Sequence, residues 1–168
     1  MTFARHWFEW LDAFPSSLAL RESIYGFPIL LTVHLIGLAV FSGLIVMMDL
    51  RLAGFGNLGS AVTQIQKRLF TWQMGALVVT SITGLLLLYS QPMRYYGKVL
   101  FWVKMGLMAF AGLNALVFHL TTYRSVNEWD NAARGPFGAR LAGVMSLILW
   151  AGVIIFGRLT AYEWLTYE

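Results

Sequence analysis

The sequence predicts an all-α integral membrane protein. Its four helices form an up-down-up-down bundle, and an amphipathic helix lies in the membrane interface at the N-terminus. Three observations lead there. Of the 168 residues, 58% are apolar and only 12% are charged, about half the ~25% charge of an ordinary soluble domain. The apolar excess is gathered into four runs, at about 27–48, 69–89, 99–121 and 141–159. Each is close to the ~20 residues that a helix needs to cross the hydrocarbon core. Within these runs the charges are Lys104 and, at the end of the fourth, Arg158. No segment outside the runs could build a soluble core, so residues 1–168 read as a single membrane domain.

The first element is 4–14, ARHWFEWLDAF. At helical spacing Trp7, Phe8, Trp10, Leu11 and Phe14 share one side, away from Arg5, Glu9 and Asp12. Aromatic residues on one face and charges elsewhere make a helix that lies in the interface. No small-residue cleavage site follows a short apolar core, so this is not a cleavable signal peptide and the first span serves as the insertion signal. Pro15 is expected to end the helix, and Ser16 or Ser17 to cap the next segment.

The first span carries His34 on a face with Phe41, Ser42 and Ile45, and with Asp49 at its far end. Ala39 and Gly43 form a small-xxx-small pair on the opposite side, a pattern that brings helices together. The connector holds Gly54-Phe55-Gly56-Asn57-Leu58-Gly59. It matches a dinucleotide-binding GxGxxG by letter, but that motif works only between a strand and a helix, so a flexible turn is the reading here. Residues 60–68 read as a short amphipathic approach to the second span. That span carries Gln73, Thr80 and Gly84 in one stripe, a polar and small seam suited to helix packing. The connector 90–98 is short, which predicts that spans two and three are antiparallel neighbours.

The third span is the least ordinary. Lys104, Met108, Ala111, Gly112, Ala115 and His119 fall on one side of it. That side is polar at both ends and small in the middle, so another backbone or a flat ligand could come close. Asn114 lies off this face. Ionisable groups inside a membrane helix are costly and by default suggest function. Against that, Lys104 could snorkel into the headgroups and His119 could sit at the opposite interface. After this span, Ser125-Val126-Asn127-Glu128 has capping-box spacing, with a surface helix expected to about Arg134. Gly135 and Pro136 stop it. The fourth span ends in Arg158, with Tyr162, Trp164 and Tyr167 as an aromatic anchor.

Outside the deep residues, the terminal side holds Arg5, Arg21, Arg94 and Lys98. The other side holds Arg51, Lys67, Arg68, Arg124, Arg134 and Arg140. The excess predicts that the two long connectors face the cytoplasm and the termini the other side of the membrane.

Several function classes are excluded. The net charge of +4 is spread over connectors, which suits anionic lipid rather than nucleic acid. Zero cysteines exclude thiolate metal sites and thiol catalysis. Hydrolase and nucleotide motifs are missing. None of the eight acidic residues reads as buried, which disfavours a proton-coupled carrier.

What remains is cofactor chemistry. His34 and His119 are the candidate metal ligands, as bis-imidazole ligands of haem b, with Lys104 and Arg158 as further cofactor-binding residues and Lys98 or Arg158 near the propionates. Depth works against one shared haem. From the middle of its run His34 lies roughly 5 Å toward the termini and His119 roughly 13 Å the other way, at 1.5 Å per residue. A separated version puts an anionic headgroup or quinone beside His34, Lys104 and Arg158. It puts His119 near Asp49, Met47 and Met48, where imidazole and thioether would suit copper.

The stretch 18–56 and the Lys104, Asn114, His119 helix resemble a family of small uncharacterised four-helix bacterial inner-membrane proteins. More distantly, Lys104 followed by Asn114 is similar to the copper-resistance D-type and b-type cytochrome bundles. That likeness implies His34 and His119 as ligands. The leading expectation is a small membrane redox or cofactor-binding module, electron transfer through haem b being its concrete form, with a membrane or periplasmic redox partner. The alternatives are a cofactor-free accessory subunit acting through partner proteins, and a copper-handling membrane protein.

Overall fold

A computed structural model of the chain describes residues 2–56 and 58–162, with side chains from Arg5 onward. Asn57, Trp164 and Tyr167 therefore lie outside the described residues. The elements are all helical. Two short helices, α1 (Thr2–Asp12) and α2 (Pro15–Glu22), precede α3 (Gly26–Ala53) and α4 (Val62–Ser90). Then come α5 (Pro92–Tyr96), α6 (Val99–Leu120), a 3-10 turn (Thr122–Ser125), α7 (Val126–Trp129) and α8 (Phe137–Leu159). Helices α3, α4, α6 and α8 are long and apolar enough to cross a membrane. Their outward faces are studded with exposed aliphatic residues such as Ile36, Val78, Ile82, Leu116 and Ile148. So much apolar surface is stable against lipid and not against water.

Local sequence explains most of the ends. Helix α3 stops at Gly54, whose φ of 84° is left-handed and whose N–H turns back to Arg51 O and Leu50 O, the usual glycine exit. Helix α4 begins at Val62 and absorbs the stretch expected to approach it separately, since no Gly or Pro interrupts residues 62–73. Pro15 occupies the first turn of α2, where its missing N–H costs nothing, so it opens a helix as well as ending one. Ser16 and Ser17 do not cap that helix. The Ser17 hydroxyl donates to Tyr89 O at 2.7 Å, and Ser16 Oγ meets the Tyr89 hydroxyl at 2.6 Å. The capping box at Ser125 is not made either, and α7 ends at Trp129 rather than near Arg134. Phe8 of α1 packs on Tyr96 at 5.1 Å and on Trp102 at 6.3 Å, so the aromatic face of α1 docks partly on protein.

Glycines set which helices meet. A side chain at Gly37 would strike Thr80 Oγ1 on α4, and one at Gly143 would strike Asp49 O on α3 at 2.7 Å. One at Gly152 would strike Leu107 of α6 at 3.0 Å. Thus α3 packs on α4 and α8, and α8 packs on α6. Helices α4 and α6 share no comparable interface. The expectation that the short connector makes them packed neighbours is corrected. That connector folds its own helix, α5, and the small, polar stripe of α4 is spent on α3. The pair Ala39 and Gly43 is not a helix contact within the chain, because open space surrounds Gly43.

The best-packed region lies at the end of the long connectors. Leu52, Val62, Phe118, Val126, Trp129 and Ala139 form its core. Above it Arg51, 1% exposed, donates through Nε to Ser60 O and through Nη2 to Ala132 O, both at 2.9 Å. Asp130 accepts from the Thr63 N–H at 2.8 Å and the Thr63 hydroxyl at 2.6 Å. These bonds fasten one connector to the other. At the opposite end Lys98 Nζ donates to Thr160 O at 2.8 Å, tying the start of α6 to the end of α8.

Candidate functional site

Because α4 and α6 stand apart, the bundle is open along one seam. Behind it lies a cleft of about 370 Å³ lined by all four spanning helices, within the ~300–1,000 Å³ typical of small-molecule sites. Its floor on α6 is Met108, Ala111, Gly112, Ala115 and His119. This is the small-centred face that the helical spacing predicts, without Lys104. Space is open beside Gly112, so the floor is flat. Phe41 and Trp150 close the back, their rings edge-to-face at 5.0 Å. Phe70, Met74 and Leu77 of α4 form the opposite wall.

The connector-side end is polar. Asp49, Gln66, Asn114, His119 and Ser146 all line it. Asn114 donates through Nδ2 to Ala142 O at 2.9 Å, a bond that holds α6 to α8. His119 Nδ1 lies 2.9 Å from Ala115 O. A carbonyl can only accept, so Nδ1 carries the proton and Nε2 is left as an acceptor. It receives the Gln66 amide, Nε2 to Nε2, at 3.2 Å. That bond bridges α4 and α6 at the mouth of the seam. Gln66 Oε1 is then buried with no partner among the described residues. So is Asp49 Oδ2, on a residue only 6% exposed, although Ser146 interacts with the carboxyl.

The expected site residues do not converge here. His34 is half-buried on α3 in a notch left by Gly84, where an added Cβ would come within 3.0 Å of its ring. Its Nδ1 lies 3.1 Å from Thr80 O and 3.0 Å from Thr83 Oγ1. It does not line the cleft. Lys104 lies against Gly157 of α8, also outside the cleft. Arg158 is exposed, 5.7 Å from the Tyr162 ring. The cleft therefore brings His119 together with Asp49 and Met48, as the second version of the cofactor reading placed them, and leaves Met47 exposed. Among the described residues no three His, Asp or Glu stand close enough to hold a metal ion together.

The residues that sequence reasoning missed are Asp49 as a buried acid, and Gln66 and Trp150. Asp49 stands on the same helical face as Phe41 and Ile45, which was the available signal. The reading that no acid is buried is corrected by its 6% exposure.

Four apolar spans and a laterally open, polar-ended cleft define a small multi-pass membrane protein. The chain belongs to DUF6644, a family of unknown function whose model matches residues 7–163. No curated protein and no solved structure matches it.

Proposed function

We propose that this protein is a membrane module that binds a flat, lipid-soluble amphipathic molecule, entering from the bilayer between α4 and α6. One observation carries the reading. Helices α4 and α6 share little interface, and the cleft between them ends in two buried side-chain oxygens with no partner among the described residues, Asp49 Oδ2 and Gln66 Oε1. A buried acceptor without a donor costs about 1–3 kcal/mol. A guest with its polar head at the connector side and its apolar body along Ala111, Gly112 and Ala115 removes that cost. Such a guest fits a redox module working in the plane of the membrane.

The test is extraction of the purified protein, held in its native lipid, followed by mass spectrometry. Wild type should carry one lipid-soluble compound near one per chain, and Gly112→Leu, which fills open space, should lose it while folding normally. The same lipids in both proteins as in bulk membrane would overturn the proposal and favour a cofactor-free accessory subunit.

A second reading is favoured by His119 alone. Its Nδ1–H is held by a backbone carbonyl, the arrangement that orients imidazoles for metals. Haem b, or copper with Met48, Met74 and Met108, would then ligate through Nε2 once Gln66 swings away. An absorption spectrum and metal content that vanish with His119→Ala would support it. A haem shared with His34 gains nothing from this geometry.

A further inference from the structure

We infer that the cleft prefers the reduced, hydroxyl-bearing form of a lipid-soluble ring compound, a quinol, over the corresponding quinone. The inference rests on the proposed guest binding and specifies the head. Three groups at the polar end decide it. Asp49 Oδ2, in the carboxylate form, and Gln66 Oε1 are buried acceptors with no partner among the described residues, while the His119 Nε2 acceptor, set by Nδ1–H on Ala115 O, is already met by the Gln66 amide. The donors at this end are largely engaged: one N–H of the Gln66 amide serves His119 at 3.2 Å, Asn114 Nδ2 serves Ala142 O at 2.9 Å, and the Ser146 hydroxyl serves the Asp49 carboxyl. A quinone head brings two more carbonyl acceptors to a place already short of donors. A quinol head brings two O–H donors. An unmet buried acceptor is far costlier than a met one is rewarding, so the discrimination is large for a small chemical change.

The surroundings disfavour an anionic head. Among the described residues the cleft is lined by Asp49 and by no lysine or arginine. A phosphate-bearing lipid head would therefore meet a carboxylate and no cation. The open strip at Gly112, in a cleft also lined by Phe41, Phe118 and Trp150, admits a planar ring.

The experiment uses the full chain in nanodiscs, with empty nanodiscs as the blank. A decyl-chain benzoquinol and its benzoquinone are titrated separately under nitrogen, and the bound compound is quantified by chromatography. The quinol should bind at least tenfold more tightly. Asp49→Asn keeps the shape but offers an amide donor, and should bring the ratio to one or reverse it. The double variant Gln66→Met/His119→Phe removes the Gln66 acceptor together with the imidazole that its amide serves, should lower the ratio in the same direction, and serves alone if Asp49→Asn does not fold. Equal affinities, tighter quinone binding, or a ratio that neither variant moves would overturn the inference and leave the guest-binding reading standing. Displacement by an alkylammonium amphiphile but not by quinol would do the same and assign Asp49 to a cationic head. Binding of neither ring compound, with no guest recovered from native lipid, would overturn both.

Discussion

Asp130 shows how much one side chain can hold at the connector end. Partial burial pushes its carboxyl up. The Thr63 hydroxyl, the Thr63 and Val62 backbone N–H groups and the Arg51 guanidinium outweigh this and hold it below the usual aspartate range. An acid held below its unfolded value stabilises the fold above that value, and the contribution is lost as pH falls through the lower folded-state value. The window is thus below about pH 4. Asp130→Asn should cost about 1 kcal/mol at pH 6. In thermal unfolding of detergent-solubilised protein, the gap between wild type and variant should close as the pH is lowered from 6 to 3. A gap constant across that range would mean that the carboxylate charge is irrelevant. Asp49, by contrast, has Ser146 but no comparable set of donors among the described residues, which fits it to the proposed site and Asp130 to the frame.

At the scale of the helix, contact follows the missing side chains. Gly143 meets Asp49 O, Leu52 and Ala53 within 3.0 Å of where its Cβ would lie, whereas Gly43 meets nothing. Gly143→Ala should force α8 from α3 and cost about 1–3 kcal/mol. Gly43→Ala should be neutral or gain up to about 1 kcal/mol of helix propensity. Unfolding of the two variants in mixed micelles compares them directly. Equal effects would mean that Gly143 is not the point of closest approach. Both glycines stand in α3 or α8 sequence that looks equally suited to packing. The small-xxx-small pattern at Ala39 and Gly43 names a face, yet it does not say whether the neighbour is another helix or lipid.

For the whole molecule, the four spans put Ile24 and Phe55, 81% and 78% exposed, at opposite ends of α3. The chain has no cysteine, so single-cysteine variants at these positions report sidedness without background. The charge bias of the connectors predicts that Phe55→Cys is labelled by an impermeant maleimide only from the cytoplasmic side, and Ile24→Cys only from the other. Labelling with the reverse sidedness would invert the orientation. It would also turn the polar end of the cleft to the opposite face of the membrane.

The apolar runs were enough to specify four membrane helices, and the spacing of α6 names five of the residues that line the cleft, Met108, Ala111, Gly112, Ala115 and His119, but not Asn114 or Phe118, and it adds Lys104, which lies outside. Both follow from short-range physics: hydrophobic length against bilayer thickness, and 100° per residue. Which helices touch was decided by the tertiary structure. The glycine notches on α3, α4 and α8 use up those surfaces pairwise, and α4 and α6 are left with little interface between them. Only then does a cleft exist, and only then is Asp49 buried beside Gln66 and His119, residues 17 and 70 positions away along the chain, while His34 is turned aside into the notch at Gly84. Burial is a property of the neighbours that a residue meets, and no local pattern around Asp49 contains them.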